Sequence, residues 1–241
     1  MKLQGKVAIV TGASRGIGWA IALGFADEGA DLVVCARDGA RLERLVDEIE
    51  RRNRRALAVT ADVTVEADVE RLVERTVETF GRIDVLCNNA GVLHRGAIDE
   101  LDPSQWDEVI AVNLRGPFLC SRAVLPHMKR LDYGRIVDVS SGSAINCTAG
   151  FSAYSASKAA LNALSRTLAN ELTGFNILVN AMSPGFLKTD MNPEGTRPPS
   201  AAVPTAVELA SLPDGGPSGR FFRFQQEMEV IPDLSKLDWK N

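Results

Sequence analysis

The stretch Val7-Ala-Ile-Val-Thr-Gly-Ala-Ser-Arg-Gly-Ile-Gly18 decides the fold. Its first four residues form an unbroken apolar run, which suits a strand covered on both faces. Glycines at 12, 16 and 18 follow, and the chain passes at once into a helix-like segment ending near Glu28. Glycine there permits a tight turn and lets backbone amides approach a pyrophosphate, which the positive end of the next helix favours. Gly12, Ser14, Arg15, Gly16, Ile17 and Gly18 are therefore predicted to cradle a dinucleotide. A glycine turn alone says little; its place between a first strand and a first helix gives it weight.

Working outward, Asp31–Ala36, Ala56–Val59, Ile83–Leu86, Ile136–Val139 and Ile177–Val179 read as further buried strands, with Arg220–Phe224 a seventh at the sheet edge. Between them lie helical stripes: Leu42, Leu45, Val46 and Ile49, then Val69, Leu72, Val73, Val77 and Phe80. A long helical stretch from Ser104 to Arg130 is interrupted at Gly116-Pro117, and Trp106, Val109, Ile110 and Leu114 on it suit packing or a subunit interface. Apolar strands alternating with helices predict an α/β fold, a doubly wound, mostly parallel sheet of six to seven strands with helices on both faces. No linker or repeat divides the chain, so residues 1–241 are expected to be one domain. Within it, 190–220 forms a short proline-rich segment on the substrate side, with a short helix over Thr205–Leu212. The tail from Gln225 to Asn241 lacks periodicity and is expected to wrap loosely or serve an interface.

Composition narrows the function classes. A net charge of −4 and a pI near 5.4 give no global attraction to nucleic acid or anionic membrane. Arg51, Arg52, Arg54 and Arg55 read as a solvated helix end. The four cysteines are scattered, with no C-x-x-C spacing, which fits reduced thiols. The N-terminal apolar run is too short for a signal sequence and no stretch reaches the ~18 apolar residues of a membrane span, so a cytoplasmic location is expected. His94 and His127 have no cysteine or carboxylate cluster at ligand spacing, so no metal site is expected. His94 reads as an exposed loop residue or one at a pocket mouth.

Tyr154 and Lys158 stand one helical turn apart, and Ser141 lies thirteen residues before the tyrosine at the end of a strand. A tyrosine titrates near pH ~10 alone; an ammonium on the same helix face is expected to favour its phenolate. Ser141 would hold a substrate oxygen beside that phenol. Strand alternation turns Ser140, the neighbouring alternative, to the opposite side. At the end of the second strand, where an NAD site places a carboxylate, the residues are Cys35-Ala-Arg37. Arg37 and Arg15 can bracket a 2′-phosphate, favouring NADP(H) over NAD(H), while Asp38 is the residue that would reach a ribose hydroxyl in an NAD site.

Thr11-Gly12-x-x-x-Gly16-x-Gly18, Asn88-Asn-Ala-Gly91, Asn113, Ser141, Tyr154-x-x-x-Lys158 and Pro184-Gly185 occur in that order. The chain resembles the short-chain dehydrogenase/reductase family, in its compact single-domain branch with a Rossmann fold, over about residues 3–191. The resemblance implies that Asp62 and Val63 contact the adenine and that Asn89, Ala90 and Gly91 border the adenosine ribose. Pro184, Gly185, Leu187 and Thr189 would hold the nicotinamide. Asn113, Ser141, Tyr154 and Lys158 would be catalytic, with Tyr154 as proton donor, Lys158 also binding the nicotinamide ribose, and Asn113 holding a water. Cys147 and Phe151 fall in the segment that borders substrate.

The implied activity is hydride transfer between NADP(H) and a small carbonyl or alcohol, in a homo-oligomeric dimer or tetramer. Two rivals remain. A 3-ketoacyl-thioester reductase would need a basic surface for an acidic carrier, for which Arg95, Arg115, Arg122 and Lys129 are the candidates. A redox-silent NADP-binding regulator would need no proton donor. The short segment after Pro184-Gly185 departs from members with a longer lid and predicts an open pocket tolerant of assorted ketones and aldehydes.

Overall fold

The computed structural model describes residues 1–229; residues 230–241, and with them most of the tail considered above, lie outside the described residues. The described strands form one sheet in the order β3-β2-β1-β4-β5-β6-β7-β8. They are β1 (Val7–Thr11), β2 (Asp31–Ala36), β3 (Ala56–Thr60), β4 (Val85–Asn88), β5 (Gly134–Val139), β6 (Ile177–Ser183), β7 (Phe221–Arg223) and β8 (Gln226–Met228). All neighbours pair in parallel except β7 and β8. The helices are α1 (Gly16–Asp27), α2 (Gly39–Glu50), α3 (Glu66–Phe80), α4 (Pro103–Ile110), α5 (Gly116–Leu131), α6 (Ser143–Asn146), α7 (Ser152–Glu171) and α8 (Val203–Ala210).

Alternation along each strand divides the core into two layers. Val10, Val34, Val137 and Met182 pack with Phe25 of α1, Leu45 of α2 and Ala206 of α8. Ile9, Val33, Leu86 and Ile136 face the other way, onto Leu72 of α3 and Leu119 and Val124 of α5. Because the chain runs outward from β1 to β3 and then crosses back to β4, helices diverge to either side where β1 meets β4. That reversal leaves a crevice at the strands' C-terminal ends.

Several sequence expectations needed correction. The sheet has eight described strands rather than six to seven: β7 is interior, and the exposed β8 closes the edge, invisible to a search for apolar runs. β4 lies two residues beyond the expected Ile83–Leu86 because Asn88 is buried and hydrogen-bonded, so a polar residue extends the strand. β6 likewise continues past Val179, with Asn180 bonded to Pro217 O and Arg220 N. The short helix near 205 starts earlier, at Val203. The arginine run is not simply solvated: Arg52 pairs with Asp27 at 2.8 Å and Arg55 with Asp31 at 2.7 Å, tying the turn after α2 to the end of α1 and the start of β2.

The break expected at Gly116-Pro117 is a π-helical turn at Ala111–Arg115. Pro117 has no N–H to return to the carbonyl of Asn113 four residues earlier, so the helix widens ahead of it. Gly116 is required by packing, since a Cβ there would lie 2.9 Å from Val63 Cγ2.

Candidate active site

The crevice at the β1–β4 reversal is a cleft of about 470 Å³ lined by the glycine loop, the ends of β2 and β4, Tyr154, Lys158, Pro184 and Thr189. Its floor is held by short polar side chains. Thr11 Oγ1 accepts from the amides of Asn89 and Ala90, both at 3.1 Å, and Asn89 Nδ2 donates to Thr11 O at 2.9 Å and Gly12 O at 3.1 Å. Gly12 adopts φ +64°, and a Cβ on it would come within 2.7 Å of Ala90 Cα. A Cβ on Gly18 would meet Asn89 Nδ2, and Gly12 O at 2.5 Å. Gly18 is therefore a packing residue and stands outside the cleft lining, unlike Gly12, Ser14, Arg15, Gly16 and Ile17. No side chain caps the first turn of α1, so its amides open on the cleft and suit a pyrophosphate.

At the far end of the cleft, Arg37, Asp38, Asp62 and Val63 all line the wall. Asp38 is already engaged: it caps α2 by accepting from Arg41 N at 3.1 Å and pairs with Arg41 Nε at 3.3 Å. Arg37 reaches Asp62 at 3.9 Å, and Arg15 pairs with Asp190 across the mouth at 2.7 Å. Arg41 also lines the cleft. The sequence reading missed it, although its position four residues after Arg37, at the start of a helix, was a usable signal.

Ser141, two residues past β5, and Tyr154, in the first turn of α7, lie close enough for the serine to lower the tyrosine's pKa by hydrogen bonding. Ser140 points away from them and donates to Lys158 O at 3.3 Å, as strand alternation requires. Lys158 is buried, 3% exposed, and its ammonium donates to Val139 O at 2.8 Å. The Nζ sits 5.8 Å from the centre of the Tyr154 ring. The expected acidification of the phenol by this lysine is overturned here: burial raises the Tyr154 pKa, and only the Ser141 hydrogen bond works against it. Burial also pushes Lys158 down to about 8, opposed by the Asp138 carboxylate.

Asn113 is fully buried in the π turn. Its Oδ1 accepts from Val92 N at 2.8 Å, and its Nδ2 donates to Val92 O at 3.0 Å and Ser157 Oγ at 3.1 Å. Asn113 and Ser141 stand outside the lining of the cleft, as do Gly185 and Leu187; Val92, Val112, Asp190 and Met191 join it unforeseen. Gly185, at φ +90°, is packed against the ring of Phe224.

On the substrate side, the Phe151 ring stands edge-on to Tyr154 with centroids 6.3 Å apart, and Arg95 lies over Phe151 at 5.1 Å. Arg95 also reaches Asn192 Oδ1 at 3.5 Å, linking the loop after β4 to the segment after β6. The other basic candidates serve their own neighbours: Arg115 bonds Thr64 O, Arg122 pairs with Glu66, and Lys129 lies over Phe175. His94 pairs with Glu108 at 2.7 Å. No group of three or more His, Cys, Asp or Glu side chains able to hold a metal lies together among the described residues. Nor is any described helix long and apolar enough to cross a membrane.

Comparison with known proteins agrees with this geometry. A family profile described as short chain dehydrogenase matches residues 6–199. The chain is 41% identical over 191 residues to the (2S)-[(R)-hydroxy(phenyl)methyl]succinyl-CoA dehydrogenase subunit BbsD of Thauera aromatica, covering 79% of this chain and 77% of that protein. It is 38% identical over 231 residues to the 3-oxoacyl-[acyl-carrier-protein] reductase FabG of Thermotoga maritima, covering 96% and 90%. A dehydrogenase/reductase structure from Sinorhizobium meliloti superimposes with a TM-score of 0.84 at 35% identity, covering 92% of this chain and 94% of that one. A short-chain type dehydrogenase/reductase from Mycobacterium marinum gives 0.86 at 30% identity, with the same coverage. With its Rossmann-like sheet and its Ser141–Tyr154 contact beside Lys158, the chain belongs to the short-chain dehydrogenase/reductase family of oxidoreductases.

Proposed function

We propose that the protein is an NADP(H)-dependent reductase of ketones or aldehydes, or a dehydrogenase of the matching alcohols. The observation that carries the coenzyme reading is the engagement of Asp38 as a helix cap while Arg15, Arg37 and Arg41 line the same wall. A 2′-phosphate there meets guanidinium donors, and a carboxylate for ribose hydroxyls is missing from the position that would supply it. The uncapped start of α1 and the space kept free at Gly12 fit the pyrophosphate.

When bound, the dihydronicotinamide supplies hydride to the carbonyl carbon. Tyr154 gives its proton to the carbonyl oxygen, so negative charge does not accumulate on it. Ser141 holds that oxygen by a hydrogen bond and fixes its distance from the phenol. Lys158, whose Nζ lies 5.8 Å from the centre of the Tyr154 ring, would hold the nicotinamide ribose. Because both polar atoms of the Asn113 side chain are engaged, its backbone carbonyl, denied a donor by Pro117, is the group left to hold a water for returning the proton. In the alcohol-oxidising direction these transfers reverse.

The FabG and BbsD relatives favour a second reading, reduction of a 3-ketoacyl thioester, which uses the same proton donor. Against an acidic carrier stands the engagement of Arg115, Arg122 and Lys129 away from the mouth, where only Arg95 of that set lies. The test is oxidation of NADPH and of NADH against a panel of ketones, aldehydes and acyl thioesters. Turnover of assorted carbonyls with NADPH supports the main reading, and turnover confined to one thioester selects the second. Tight NADPH binding with no turnover at all would instead make the protein a cofactor-sensing regulator. A single-domain, homo-oligomeric, cytoplasmic enzyme acting on small molecules completes the proposal.

A further inference from the structure

Arginines at the two ends of the cleft are partnered differently. At the coenzyme end, Arg15, Arg37 and Arg41 pair with Asp190, Asp62 and Asp38 at 2.7, 3.9 and 3.3 Å. Arg95, on the substrate side, has no carboxylate within ion-pair reach among the described residues. Its polar contact there is a neutral amide: Asn192 Oδ1 accepts from Arg95 Nη2 at 3.5 Å, the outer limit of a hydrogen bond. A guanidinium carries a planar fork of N–H donors, so most of the donor capacity of Arg95 is left to solvent. Glu108, the acid that the preceding residue meets, is already held by His94.

The backbone fixes where this charge sits. Gly96 N donates to Gly150 O at 3.1 Å, and Gly96 bridges in parallel to Phe151, which pins the loop after β4 to the turn leading into α7. Gly150 makes that turn at φ +79°, a left-handed conformation natural to glycine. Arg95 lies over the Phe151 ring, 5.1 Å from its centre, and the same ring stands edge-on to Tyr154 at 6.3 Å. From the opposite side, Asn192 Nδ2 donates to Leu187 O at 3.1 Å, which leaves Oδ1 as the acceptor turned toward Arg95. One phenyl ring thus separates the tyrosine from a positive charge without a counter-charge.

We infer that Arg95 is a specificity residue that receives a carboxylate, so that the substrate is an oxo acid whose keto group and carboxylate stand several carbons apart. The keto oxygen lies at Tyr154, the chain crosses Phe151, and the carboxylate meets the guanidinium fork. A 2-oxo acid is too short, because its carboxylate adjoins the reacting carbon. On binding, Arg95 exchanges a loose contact with a neutral amide for a charge-assisted pair of hydrogen bonds. A single guanidinium matches one carboxylate, whereas Arg115, Arg122 and Lys129, which could have joined it around a phosphate, are engaged elsewhere. The inference rests on the reductase reading and narrows its substrate.

The test is initial-rate kinetics with NADPH on 4-oxopentanoate, 5-oxohexanoate and 6-oxoheptanoate, each beside its methyl ester, which keeps the chain and removes the charge. The ratio of kcat/KM for acid over ester is expected to reach about tenfold in the wild type at one or more lengths. It should fall to about unity in Arg95→Gln and lie between in Arg95→Lys, which keeps the charge but not the fork. Because acid and ester are compared within one protein, a general loss from altered folding cancels. Added salt should shrink the wild-type ratio without any variant. A wild-type ratio near unity at every length, a ratio that Arg95→Gln leaves unmoved, or preference for a phosphate-bearing acyl thioester over every acid would overturn the inference.

If the wild type reduces no carbonyl, calorimetric titration of the NADPH-loaded protein with 5-oxohexanoate and with its methyl ester reads the same recognition. Tighter binding of the acid, lost in Arg95→Gln, would keep the carboxylate site and count against the reductase reading alone. Equal binding of acid and ester would sink the inference.

Discussion

The coenzyme end and the substrate end of the cleft are built by opposite means. Around the glycine loop, Thr11 and Asn89 lock backbone to backbone through short side chains, and Gly12 and Gly18 leave no room for a methyl group. At the substrate mouth, long exposed side chains make the contacts: Arg95 over Phe151 and out to Asn192, and Arg197 over Phe224. Short buried bonds fix a geometry that a shared coenzyme needs, whereas exposed arginines on aromatic faces adjust at little cost. The difference teaches that recognition of the common ligand is set by the scaffold, while discrimination among substrates is left to side chains that can move.

Tests that break this contrast rank by size. Tyr154→Phe removes the proposed proton donor that stands between the two ends. Turnover is expected to fall about 10²–10⁴-fold, roughly 3–5 kcal/mol, with NADPH affinity retained. Steady-state kinetics and a fluorescence titration of NADPH check this together, and retention of turnover would remove the phenol from the mechanism. Next comes Gly18→Ala, which drives a methyl group into Asn89 and the Gly12 carbonyl. A loss of about 1–3 kcal/mol of stability and weaker NADPH binding are expected by thermal unfolding and titration. An unchanged melting temperature would show that the loop is not locked as described.

Arg37→Asp sharpens the comparison at its charged edge. The ratio of kcat/KM for NADPH over NADH is expected to fall about tenfold, a moderate effect because the side chain is exposed. Unchanged selectivity would transfer the phosphate role to Arg15 and Arg41. The smallest effect is expected from Asp190→Asn, which frees Arg15 at the mouth. NADPH should bind at most about two- to threefold tighter at low salt, with the gain lost as salt is raised. A gain that persists at high salt would show that the Arg15–Asp190 contact is more than a screened surface pair.

How far the sequence could be read follows the same division. Uninterrupted apolar runs such as Val7–Val10 and Asp31–Ala36 announced strands because a parallel sheet is buried on both faces. The ends of β4 and β6 were misplaced because Asn88 and Asn180 are polar residues buried with partners far along the chain. β8 was missed because all three of its residues are exposed. At the site, motif order foretold that Ser141, Tyr154 and Lys158 converge, and the structure brings them together. It did not foretell the direction of the Tyr154 shift, since one-turn spacing reports proximity of a charge but not the burial that outweighs it. Arg41 was overlooked for a related reason: it joins the site through a helix cap.

The π turn at Ala111–Arg115 carries a consequence for how this site can change. Such a turn is equivalent to one residue inserted into an α-helix, and each residue rotates the helix by about 100°. Erasing it by deleting a residue would swing everything on its N-terminal side, Val109 included, off the core, or else carry Asn113 away from Val92. Drift by point substitution therefore leaves this corner intact, and the helix register acts as a ratchet that lets the rim diversify while the proton path stays put.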